Sequence, residues 1–418
     1  MVRSTRLANG VRVLSQELPD SPSVTIGIWV ENGSRFEAAE QGGISHFLEH
    51  LFFKGTARRT AAAIAEEIDA VGGVLNAFTG KEFTCYYAKV LPEHLPLALD
   101  LLGDIFTRSQ FAEEEIVRER TVILQEISQV EDAPDDYVHD LFNQAFWPGH
   151  PLARPIAGTA ETVSRLTRAD FLAFLETRYR PNRVLVAAAG RLRHDDLAVA
   201  VAQQLDGLRG AATVVDGGRP EARAGASVHA KPLEQVHLCF GVPGIAQADP
   251  DRYPAHVLNL ALGGGMSSRL FQEIRERRGK AYSVYSFLSA FADAGYVGVY
   301  VGTSAESVQE VIAVVAAEID RMARDGLTAD ELIRTRNQMK GNLLLGLETS
   351  DSRMSRIAKN ELYFGRDVPI EEISANIDAV TSDDVVRVAE RLFRPRRLAL
   401  TVLGDLRGGT VDESVLFG

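Results

Sequence analysis

The sequence predicts an α+β fold of two homologous α/β-sandwich halves, each a mainly antiparallel sheet with helices packed on one side. Three observations carry that expectation. Residues 4–106 read as strands, helix, helix, strand, strand, helix. Residues 207–230 hold six glycines or prolines without sustained periodicity, which marks a linker. The residues beyond the linker are a worn copy of those ahead of it. Arg180-Pro181 with Val184–Gly190 recurs as Arg394-Pro395 with Leu398–Gly404, and Phe111–Arg118 recurs as Leu327–Arg334, an acidic helix start leading to a matched arginine. The expected domains are therefore 1–206, the linker 207–230, and 231–418.

Each element has a local reason. Asn9-Gly10 supplies hairpin-turn chemistry between Ser4–Leu7 and Val11–Gln16. Val24–Val30 is a short apolar run suited to a buried strand, and the polar loop Glu31–Gly43 leads into a helix over Ile44–Phe53. Thr60 caps a second helix that ends at Gly72-Gly73. Val74–Phe78 and Phe83–Val90 flank the turn Thr79–Glu82 as a hairpin, and a helix comes next over Glu93–Phe106. Residues 112–130 form a long helical run broken at Ala133-Pro134, where Glu113, Glu114 and Glu115 complement the helix dipole.

Composition narrows the class. A chain of 418 residues, 45% hydrophobic and 24% charged, can bury more than one core. Its net charge of -12 argues against a general nucleic-acid binder, since phosphate binding needs a basic face. A basic or extended polypeptide is the easier partner. Two cysteines, Cys85 and Cys239, allow neither a disulfide framework nor a cysteine zinc site and fit a reducing compartment. The first residues lack an apolar signal core and no run reaches a membrane span, so a cytoplasmic, bacterial chain is expected.

Chemistry concentrates in His46-Phe47-Leu48-Glu49-His50. On a helix His50 stands about 40° round from His46, with Glu49 on the same side. Two neutral imidazoles four residues apart can grip one zinc ion, and a carboxylate beside the ion can take a proton from the water it acidifies. The same donors also accept manganese or cobalt. The apolar flanks make this helix a buried one, where uncompensated polar groups are costly and a bound metal accounts for them. A third protein ligand is then needed. Glu126 lies in an apolar stretch of the long helix, after Val122-Ile123-Leu124 and before Ile127, but spacing alone does not choose it over Glu119.

Here the chain resembles a family. His46–His50 is the inverted H-x-x-E-H motif, and the sequence is similar to the pitrilysin or insulinase family of zinc peptidases, particularly its short bacterial members and the catalytic subunit of mitochondrial processing peptidase. The resemblance implies one zinc per chain held by His46, His50 and Glu126, with Glu49 as the catalytic base and Glu119 supporting the site. Asn76-Ala77-Phe78-Thr79-Gly80-Lys81-Glu82-Phe83-Thr84 fits the family strand that receives substrate, so Asn76, Ala77 and Phe78 are expected to bind it. An exposed edge strand holds an extended peptide by main-chain hydrogen bonds.

In the second half, His256, Asn259 and Leu260 stand where His46, Glu49 and His50 stand in the first. One histidine cannot hold a catalytic zinc, so His256 is expected to be structural and this half non-catalytic. Arg275 and Tyr282 match the pair with which relatives hold substrate near the scissile bond, binding a carbonyl and an oxyanion. The long relatives join such halves twice over in one chain. The resemblance therefore implies a homodimer in which Arg275 and Tyr282 act in trans, and a zinc endopeptidase that cuts short or unfolded polypeptides held as an extended strand in a closed chamber. Two other readings stay open: a non-catalytic peptide-binding or scaffold subunit, and a catalytic subunit that needs a different partner chain.

Overall fold

The structure is a computed structural model describing residues 1–212 and 217–417. In chain order it forms β1 (Val2–Arg6), β2 (Arg12–Glu17), β3 (Val24–Val30), α1 (Ile44–Leu51), α2 (Ala61–Asp69), β4 (Val74–Thr79) and β5 (Thr84–Val90). Next come α3 (Leu95–Arg108), α4 (Glu113–Asp132), α5 (Pro134–Phe146), α6 (Ala160–Arg165), α7 (Arg168–Arg178), β6 (Val184–Gly190) and α8 (His194–Gln204). The second half holds β7 (Gly225–His229), β8 (Val236–Pro243), α9 (Arg252–Gly263), β9 (Ala281–Ala290), β10 (Gly295–Thr303), α10 (Val308–Asp325) and α11 (Ala329–Leu345). It ends with α12 (Ser350–Phe364), α13 (Ile370–Ala379), α14 (Ser382–Phe393) and β11 (Ala399–Leu403). Among the described residues, no helix is long and apolar enough to cross a membrane.

Two compact units result. The first comprises Met1–Gln129, Arg154–Gly217 and Gly346–Asp367; the second comprises Val130–Ala153, Gly218–Leu345 and Val368–Gly418. In the first unit the strand order is β1-β2-β6-β3-β5-β4, antiparallel except for the parallel pair β2–β6. All seven residues of β3 are buried, because both faces of the sheet are covered. One face carries Ile26 and Ile28 with Phe47 and Leu48 of α1 and Leu101 and Leu102 of α3. On the other face Trp29, Cys85 and Leu185 pack against Met354, Ile357 and Ala358 of α12.

The second unit repeats the plan, with strand order β7-β11-β8-β10-β9 and β7–β11 as its parallel pair. Strand for strand this is β2-β6-β3-β5-β4 again, so the two halves are homologous. Helices α9, α10 and α14 fill one side, and α5 covers the other with Phe142, Phe146 and the adjoining Trp147.

The expected linear cut at 206 differs from these units in two places. Helix α5, from the first half of the chain, belongs to the second unit, and α12, from the second half, belongs to the first. An amphipathic pattern fixes that a helix buries one face; it does not say against which sheet. The linker expected over 207–230 also contains β7, which pairs with β11, while residues 213–216 lie outside the described residues.

Candidate metal centre

Helix α1 buries Ile44, Phe47, Leu48 and Leu51 and leaves His46, Glu49 and His50 less buried on its remaining face. Its start is anchored. Gly43 has φ 92°, and a Cβ there would lie 2.5 Å from the Ala157 carbonyl oxygen. The Glu37 carboxylate accepts the backbone N–H of Gly43 (2.8 Å) and Ser45 (2.9 Å), meeting donors that the first helical turn leaves free. Burial pushes the Glu37 carboxyl up to about 7, against the pull of those two donors.

Helix α4 supplies the carboxylates. Ile116, Ile123 and Ile127 bury its inner stripe, and Glu119 and Glu126 stand seven residues apart, two turns along one face. Glu126 Oε2 lies 3.7 Å from His46 Nε2 and 3.5 Å from His50 Nε2. The three candidate ligand atoms fall within 4.8 Å of one another, the single such group of His, Cys, Asp or Glu side chains among the described residues. Zinc with tetrahedral bonds near 2.1 Å would separate its ligand atoms by about 3.4 Å, so these nitrogens and this oxygen fit the ion with little movement.

Burial and contacts act differently on the two rings. Burial, with His50 adding to it, lowers His46 to about 4, which keeps that imidazole neutral. Its Nδ1 is buried and has no hydrogen-bond partner. His50 Nδ1 lies 3.1 Å from Glu119 Oε2, an arrangement that turns Nε2 toward Glu126. Glu119 is itself buried and held by Lys54 Nζ at 2.7 Å from Oε1. Glu119 thus contacts the His50 ring from behind and does not face the centre of the triad.

Glu49 is partly buried beside the triad, and the Thr79 hydroxyl donates to its Oε2 at 2.6 Å. Burial raises the Glu49 carboxyl above the usual range, while the Thr79 hydroxyl opposes the rise. Strand β4 lies at the sheet edge, paired on one side by β5. Within it Asn76 is exposed and accepts the Ala77 N–H at 2.8 Å, and Ala77 packs toward the core that contains α1. The Phe78 ring points to the opposite face, 5.5 Å from Trp29 and 6.2 Å from both Phe83 and Tyr87.

Arg275 and Tyr282, in the second unit, are neighbours: the guanidinium stands 4.6 Å from the tyrosine ring centroid, and Tyr282 is 77% exposed. His256 is exposed on α9 and belongs to no ligand group among the described residues. Sequence reasoning missed Lys54, Glu37 and the bond from Thr79 to Glu49. Lys54 carries a faint signal, four residues beyond His50; the other two contacts depend on how the loop before α1 and the end of β4 approach that helix.

Residues 12–160 match the family described as insulinase (peptidase family M16), and residues 165–339 match its inactive domain. A Streptomyces coelicolor protein called an uncharacterized zinc protease is 44% identical over 97% of this chain and 90% of its own. A Bacillus subtilis protein, called the uncharacterized zinc protease YmxG, is 42% identical over 94% of this chain and 96% of its own. Two solved structures share the fold: a peptidase M16 inactive domain from Pseudomonas fluorescens (TM-score 0.90, 20% identity, 99% of both chains) and a protease from Helicobacter pylori (TM-score 0.89, 22% identity, 97% of this chain and 99% of that one). By sequence over nearly its whole length, the chain belongs to the insulinase family, peptidase family M16, in its short bacterial form.

Proposed function

We propose that this protein is a zinc endopeptidase that cuts short or unfolded polypeptides bound as an extended strand. The observation that carries the reading is the convergence of His46, His50 and Glu126 beside a further carboxylate, Glu49, outside that group and next to the edge strand β4. The relatives named zinc proteases support it.

His46 Nε2, His50 Nε2 and Glu126 would hold the ion, which when bound supplies a Lewis acid that acidifies water and polarises a peptide carbonyl. Glu49 takes a proton from the attacking water and returns one to the leaving amine. Glu119 keeps the His50 ring in its ligating orientation. The free edge of β4 aligns the peptide by main-chain hydrogen bonds, with Asn76, Ala77 and Phe78 contributing backbone groups. We further propose a homodimer in which Arg275 and Tyr282 of one subunit complete the site of the other, binding the scissile carbonyl and its oxyanion. Their adjacency and the exposure of Tyr282 support that role.

The test is cleavage of an unstructured peptide mixture by the purified chain. A chelator abolishes cleavage, and Glu49→Gln retains zinc while activity falls by about a hundredfold or more. Cleavage that survives the chelator, or a Glu49→Gln variant as active as the parent, overturns the reading.

A further inference from the structure

We propose that Thr79 is a positioning residue for Glu49, and that Arg35, Glu82 and Tyr363 clamp the β4–β5 turn so that the Thr79 hydroxyl meets that carboxylate. The inference rests on the zinc-peptidase reading and adds residues to it. Glu49 reaches from α1 on a side chain with three rotatable bonds, and a general base works only within hydrogen-bond reach of the proton it takes. The Thr79 hydroxyl, 2.6 Å from Oε2, and the weaker contribution of the Thr79 backbone N–H both hold that carboxylate in place.

Thr79 closes β4 on the same face as Ala77, the face that meets α1. A turn at a sheet edge is ordinarily the mobile part of a hairpin. This one is tied down. Gly80 N–H donates to Phe83 O at 2.8 Å, and the preceding loop lies along the turn, with Ser34 N–H on Gly80 O (3.2 Å) and Arg35 N–H on Lys81 O (2.8 Å). The approach needs glycine, since a Cβ on Gly33 would stand 2.3 Å from Gly80 O. Lys81 Nζ donates to the Arg154 carbonyl.

Beneath the turn the Glu82 carboxylate is buried, accepting Arg35 Nη1 at 2.7 Å on Oε1 and the Tyr363 hydroxyl at 3.0 Å on Oε2. A buried ion pair is a poor source of stability, because desolvation consumes most of its attraction; what it fixes is geometry. Tyr363 comes from α12, so the second half of the chain takes part in setting the turn that carries Thr79.

Because peptide capture by β4 uses backbone groups, removing the Thr79 hydroxyl should act on turnover and not on binding. The experiment compares Thr79→Val, which keeps shape and loses the hydroxyl, with Thr79→Ser, which keeps it, on an unstructured peptide. For each variant kcat, KM, zinc content and melting temperature are measured. Thr79→Val is expected to lose about tenfold or more in kcat, with KM, zinc and melting temperature near the parent's; Thr79→Ser stays within about threefold. Tyr363→Phe lowers kcat in the same way by a smaller factor. The proposal is overturned by a parental kcat in Thr79→Val, by a loss that appears in KM or zinc instead, or by Thr79→Ser as slow as Thr79→Val. A parent chain that neither binds zinc nor cleaves peptide overturns the peptidase reading itself, an outcome distinct from these.

Discussion

Glu119 and Glu126 show what a sequence tells and withholds about a single residue. Both lie on one face of α4 among aliphatic neighbours, and from the sequence either could be the third ligand. Burial separates them: the Glu119 side chain is 4% exposed and engaged by Lys54 and His50, whereas Glu126 is 39% exposed and open toward both Nε2 atoms. His46, Glu49 and His50 were legible because one helix turn sets their relation. The choice between the two glutamates was not, because it depends on which turn of α4 lies opposite α1. Replacing Glu119 with Gln removes charge behind His50 and strands Lys54. Zinc affinity measured by chelator competition is expected to weaken about 10–100-fold while the fold persists.

At the scale of elements, β3 was read with the boundaries the structure gives it, since a continuous apolar run marks a strand covered on both faces. The helices that do half of that covering were not assignable, because α5 and α12 dock on sheets distant in the chain. Their docking has a visible requirement. A Cβ on Gly241 of β8 would lie 2.3 Å from Phe142 Cζ, and a Cβ on Gly27 of β3 would lie 3.1 Å from Met354 Sδ. Gly241→Ala must displace a buried ring, so chemical denaturation should show a loss of about 1–3 kcal/mol.

Helix α11 adds a pH-dependent element. Its Glu331 accepts Arg269 Nε (2.8 Å) and Nη2 (2.9 Å) and the Thr328 N–H (2.9 Å). The Arg269 guanidinium, with Thr328, holds the carboxyl down to about 2 from an ordinary value of 4.5, against the effect of burial. A depressed carboxyl stabilises the fold fully above its unfolded value and loses that contribution as pH falls toward 2. Glu331→Gln should therefore be about 2 kcal/mol less stable than the parent at pH 7, with the gap closing between pH 4.5 and 2 in denaturation midpoints measured across that range.

For the whole molecule, the internal repeat was legible as paired motifs, and the matching strand orders with their shared parallel pair express it in three dimensions. Only the first copy carries a candidate metal-ligand triad among the described residues; the second copy carries Arg275 and Tyr282. If these act across a dimer, mixing an Arg275→Ala, Tyr282→Phe chain with a Glu49→Gln chain should restore part of the activity that each lacks. No recovery in mixtures shown to contain mixed dimers contradicts the arrangement. Beneath all of this stands the proposed metal site. A crystal grown with zinc and measured across the zinc absorption edge is expected to give one anomalous peak per chain, bonded to His46 Nε2, His50 Nε2 and Glu126, with Glu49 beside it and not ligating. A map with no peak there, or with Glu49 taking the place of Glu126, would contradict the account.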